Sequence, residues 1–181
     1  MLRRIACFFL LLLFAAGCIS TLRAQSQDPN DPLTEDEVQQ IRESKTNPNE
    51  RIKLYIKFID ERLDAMKQFS GPGKSANEKA QVRDKLEEFT RLCDELQDNL
   101  DTYDEAHADI RKSLKELVAD TARWPEALKA AGADPSYDFS HKTALEAAKS
   151  ATDEAHQMSL EQDVYFDAHK KERGGTGTGP S

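Results

Sequence analysis

The sequence predicts an all-α protein: an elongated antiparallel helical bundle of three main helices, one of them very long, plus a short N-terminal helix. Three observations carry that class. From Val82 to Trp124, the positions Val82, Leu86, Phe89, Cys93, Leu96, Leu100, Tyr103, His107, Ile110, Leu114, Leu117, Thr121 and Trp124 are spaced alternately four and three apart, an uninterrupted heptad seam. No stretch alternates apolar and polar residues as a half-buried strand would. Charged residues make up 32% of the chain and mean hydropathy is -0.70, which suits a thin core under a solvated surface.

The first 24 residues read as a secretory leader. Arg3 and Arg4 precede an apolar run from Ile5 to Ala16 that is short for a membrane span. Two cleavage points satisfy the small-residue rule. Ala15-Ala16-Gly17-Cys18 resembles a bacterial lipoprotein box, which would end the leader at residue 17 and lipidate Cys18. Leu22-Arg23-Ala24 resembles an ordinary signal-peptidase site, which would leave Gln25 at the new N-terminus. Either way the chain is expected to be exported, to the periplasm or as a lipid-anchored protein of the cell envelope. The leader carries Arg3, Arg4 and Arg23 and no acid, so its removal takes the formal charge from -8 to -11. That balance disfavours nucleic acid and anionic lipid as partners. Contact with a membrane is expected only through an anchor on Cys18.

Residues 25–33 are polar and hold two prolines, a linker composition. Thr34 and Glu37 have capping-box spacing and open a short helix over about residues 35–45. Asn47-Pro48 ends that helix and caps the next, in which Ile52, Ile56, Ile59, Leu63 and Met66 form a stripe widened by Tyr55, Phe58 and Phe69. Ser70 to Lys74 is a turn. Ser75 and Glu78 form a second capping box, and one helix is expected over about residues 76–123, spanning roughly 70 Å. Pro125 stops it, a short helical piece closes at Gly132, and residues 133–139 form a loop. The last helix, about residues 140–172, presents Ala144, Ala148, Ala151, Ala155, Met158, Gln162 and Tyr165 on its inner face and is expected antiparallel to the C-terminal half of the long helix. The bundle domain thus covers 34–172, and 173–181 form a Gly- and Thr-rich tail expected to be disordered.

Several motifs invite chemistry. Gly73-Lys74-Ser75 resembles the end of a phosphate-binding P-loop, yet Gln68 stands where the first Gly belongs and the upstream segment is an amphipathic helix. Asp104-Glu105-Ala106-His107 and Asp153-Glu154-Ala155-His156 resemble a helicase signature but lie within helical pattern. Their carboxylate-x-x-His spacing also resembles the ligand spacing of di-iron bundles, which makes Asp104, His107, Asp153 and His156 weak metal candidates. That family uses Glu rather than Asp before the His, and His156 falls beside the Ala stripe, so no metal or other cofactor is expected. His107, at a seam position, reads as a hydrogen-bonded core histidine, and His141 and His169 as surface residues. Cysteines at positions 7, 18 and 93 contain no Cys-x-x-Cys-His haem motif, and Cys93 on the seam reads as a small buried hydrophobe.

Leu33-Thr34-Glu35-Asp36-Glu37 is similar to the Leu-Thr-x-x-Gln motif of small helical periplasmic chaperones, with Glu37 in the place of Gln. The resemblance covers these five residues and implies a holdase for unfolded envelope proteins; a capping box accounts for the same residues. The expected function is therefore a non-catalytic, exported interaction or scaffold protein that binds a protein partner through helix faces. The alternatives are a chaperone-like holdase and a metal-binding bundle. A homodimer through an uncovered part of the long seam is the further expectation.

Overall fold

The computed structural model describes residues 31–173, with side chains through residue 170. The leader, Cys18, the linker up to Asn30 and the tail from Gly174 lie outside the described residues. Six helices run in the order α1 (Glu35–Glu43), α2 (Pro48–Phe69), α3 (Ala76–Glu105), α4 (Arg111–Thr121), α5 (Trp124–Lys129) and α6 (Asp138–Arg173), with no strand among the described residues. None of them is long and apolar enough to cross a membrane.

The local signals form as the residue types dictate. Thr34 and Ser75 each close a complete capping box, with Glu37 and Glu78 as the reciprocal acceptors. Asn47 caps α2 through the Glu50 amide, with Pro48 in the first turn. Gly132 adopts φ 75°, a left-handed conformation suited to the stop after α5.

The very long helix does not form. The segment read as one helix is α3 and α4, separated by a corner at residues 106–110. His107 sits at φ 49° and is exposed, so it is no core histidine. The corner is a Schellman stop without glycine: the Ala108 amide donates to the Tyr103 carbonyl at 2.9 Å and the His107 amide to the Asp104 carbonyl at 2.9 Å. Asp104 and Glu105 occupy the last turn of α3, which has no basic residue, so their charges oppose the helix dipole and weaken continuation.

Two side chains from distant helices supply the missing partners. Gln162 of α6, 3% exposed, accepts from the Ile110 amide at 3.2 Å and donates to the Ala108 carbonyl at 3.0 Å. Asn49 of α2 donates to the Asp109 carbonyl at 3.0 Å and accepts from the Ser113 amide at 3.1 Å and the Ser113 hydroxyl at 2.9 Å. Ile110 at the N-cap of α4 offers no side-chain cap; the Arg111 amide donates to Asp109 at 3.4 Å, and the two carboxamides satisfy neighbouring backbone from outside.

The corner reverses the chain. Tyr55 meets Glu95 and Arg62 meets Glu88, so α2 and α3 are antiparallel. Asn49 meets Ser113 and Asp60 meets Trp124, so α4 and α5 run parallel to α2. Ser140 meets Glu87 and Gln97 meets Ser150, so α6 is parallel to α3. It is antiparallel to α4, where Gln162 meets Ile110 and Thr152 meets Thr121. Packing follows the ring α2–α3–α6–α4, in which the consecutive helices α3 and α4 are not backbone neighbours. The expectation of three main helices thus gives way to four helical walls. Ile110, Leu114 and Leu117 are fully buried inside the monomer, which removes the surplus seam on which the homodimer rested.

The expected stripes otherwise face inward. Ile52, Ile56, Ile59, Leu63 and Met66 are buried, as are Val82, Leu86, Phe89, Cys93, Leu96 and Leu100. So are Ala144, Ala148, Ala151, Ala155, Met158 and Gln162, while Tyr165 is half-buried and Phe166 takes the inner position beside it. Trp124, fully buried, meets Phe89 edge-on at 5.8 Å between centroids and donates to Asp60 at 3.1 Å, which places both ends of the indole.

The corner makes a prediction of opposite sign to a continuous helix. His107→Ile should destabilise by about 1–2 kcal/mol, because a β-branched residue resists the left-handed conformation, and His107→Gly should be tolerated. On a continuous seam helix, Gly would cost about 1 kcal/mol and Ile would be accepted. Gln162→Ala, which orphans a buried donor and a carbonyl, should cost about 2 kcal/mol or more. Urea unfolding of the three variants reads all three values.

Candidate functional site

The four residues that the sequence offered for metal are all exposed. Asp104 is exposed in the last turn of α3, and His107 is exposed in the corner. Asp153 is exposed and pairs with Lys149 at 2.6 Å, and His156 is exposed on α6. Among the described residues no three His, Cys, Asp or Glu side chains are grouped to hold a metal ion. Cys93 is a free, fully buried thiol that burial, with Asp94 nearby, pushes well above its ordinary range.

His107 instead stacks on Tyr165 with centroids 4.7 Å apart, and Tyr165 stacks on His169 at 4.2 Å. Arg111 lies 4.7 Å from the Phe166 ring centre. These rings line a hollow of about 420 Å³ at the corner end of α6. His169 and His141 are half-buried rather than surface residues, each with a ring nitrogen on a backbone carbonyl, of Tyr165 at 2.7 Å and of Leu128 at 3.0 Å.

A more substantial site lies between α1 and α3. It is built on Arg62 of α2, which is 7% exposed. Arg62 donates to both Glu37 carboxylate oxygens at 2.7 and 2.6 Å and to the Pro32 carbonyl at 2.7 Å. Its Nε lies 2.7 Å from Glu88 of α3. One guanidinium therefore ties α1 and the segment before it to α2 and α3. Burial alone would raise the Glu37 carboxyl, but bonds from Arg62 and Thr34 outweigh it and hold it below its ordinary range. The same Glu37 completes the capping box, which accounts for the chaperone-like Leu33 to Glu37 pattern by local structure and one ion cluster.

Held in this way, α1 forms one wall of a groove of about 680 Å³. Pro32, Leu33, Val38, Ile41 and Tyr55 supply apolar lining, and Arg91, Asp94, Glu95 and Asp98 line it from α3. Asp94, Glu95 and Asp98 form no ion pair among the described residues. Tyr55 donates to Glu95 at 3.1 Å. Burial raises the Glu95 carboxyl, and Asp31 and Asp98 add to that against the Tyr55 hydrogen bond. Burial and Asp98 likewise raise Asp94. Beyond the groove, burial raises Glu154 of α6 as well, with Asp101 and Asp98 nearby, and one of its oxygens has no hydrogen-bond partner. The exposed sequence pattern could have shown this face: Arg91, Asp94, Glu95 and Asp98 recur at helical spacing, but among mixed charges they read as a solvated surface.

No family model, curated protein or solved structure matches the chain.

Arg62 gives a test with a pH signature. Arg62→Met leaves Glu37 without its cation and Glu88 with Lys85 alone, and should cost about 3–5 kcal/mol. The Glu37 contribution exists above its unfolded value of about 4.5 and is lost as pH falls through its lower folded value. Thermal melting across pH 7 to pH 3 should therefore show the gap between the parent and Glu37→Gln closing on acidification.

Proposed function

We propose that this is an exported, non-catalytic helical interaction protein of the cell envelope, whose partner is another protein bound through a helix-lined groove. The observation that carries the reading is the α1–α3 groove, where apolar lining lies beside Asp94, Glu95 and Asp98, which form no ion pair among the described residues. The carboxylates repel one another in the free protein, and a complementary partner relieves that repulsion. The leader-like N-terminus supports the envelope location, and Cys18 or Gln25 would begin the mature chain. The body suits a spacer as well as a binder: 36 residues of α6 span roughly 54 Å, which supports an elongated bundle, although α6 runs parallel to α3 and α4 parallel to α2.

A photo-crosslinking residue placed at Arg42 beside the groove, Lys112 on α4, or Leu160 on α6 tests the reading in the cells that make the protein. At least one position should give a discrete heavier adduct that the others do not. A chain that forms no adduct from any of the three positions contradicts an interaction role.

A further inference from the structure

We infer that the α1–α3 groove binds a basic segment of a partner protein, with one Lys or Arg set against Asp94, Glu95 and Asp98 and a flanking apolar side chain on Val38, Ile41 and Tyr55. This rests on the interaction reading above and names its site and its ligand chemistry.

Charge decides the sign of the occupant. Asp31, Asp94, Glu95 and Asp98 line the groove against Arg42 and Arg91. The carboxylates are close enough to raise one another, Asp98 acting on both Asp94 and Glu95 and Asp31 on Glu95. A cation entering here relieves that repulsion, whereas an anion adds to it.

Shape decides that the occupant is more than a small ion. The groove volume of about 680 Å³ takes several side chains, and half-buried Val38 and Ile41 with buried Tyr55 offer apolar contact along it. The chain immediately before the groove is the wrong ligand. Gln25 to Asn30 contains Asp28 and no base. The overall charge of -8 works in the same direction, since it steers a basic partner towards the bundle.

The probe is a fluorescent short peptide alternating Lys and Leu, titrated by anisotropy into the intact protein at physiological salt. Saturable binding is expected, weakened about tenfold or more by Asp94→Asn with Asp98→Asn, and separately by Ile41→Ser. All these positions are exposed or half-buried, and circular dichroism melts confirm that each variant folds. Two results overturn the inference: binding unchanged in the Asn variant, or a Lys-Gly peptide binding as well as the Lys-Leu peptide. The crosslinking above separates the two readings. Adducts confined to Leu160 leave an interaction protein standing with its partner elsewhere, and no adduct at any position removes both.

Discussion

The whole bundle depends on a change of direction at residues 106–110. Breaking a helix inside a protein exposes backbone donors and acceptors that must be satisfied, and here two carboxamides from other helices do it. Gln162 takes one donor and one acceptor of the corner, and Asn49 takes one acceptor and caps α4. Because those amides come from α6 and α2, the corner is stable only when both helices are docked. Local chain reversal and global assembly are one cooperative event.

Much of the remaining architecture follows from that reversal. It carries Trp124 back beside Asp60 of α2 and onto Phe89 of α3, where the largest side chain of the core lies fully buried. It also sets α6 against both α3 and α4, and the Ala stripe from Ala144 to Ala155 lets one helix approach two neighbours closely. The opposite face of the α2–α3 pair is then left for α1. Arg62 fixes α1 there through Glu37, and the groove exists because that clamp holds its wall.

The helical class, the inward stripes, both capping boxes and the buried Cys93 were legible from sequence because each is written in short-range spacing. The corner was not. A glycine usually marks a left-handed stop, and position 107 carries His, while the heptad spacing itself runs on from Leu100 and Tyr103 through His107 to Ile110 and Leu114. Periodicity reports which residues are buried, and both sides of the corner are buried against the same core. The decisive partners, Asn49 and Gln162, lie more than fifty residues away in sequence. The groove was hidden for a related reason: its acids look like an ordinary solvated helix face until α1 lies across from them.

The corner itself is the feature to measure first. Spin labels at the exposed positions Asp84 and Ala122 report the separation between α3 and the residue after α4. A continuous helix would hold these positions roughly 57 Å apart. The reversed chain brings them below about 40 Å, since α4 returns alongside the bundle at ordinary helix spacing. A single distance distribution below 40 Å is the result the corner requires, and one centred near 57 Å would contradict the fold and the groove's architecture together.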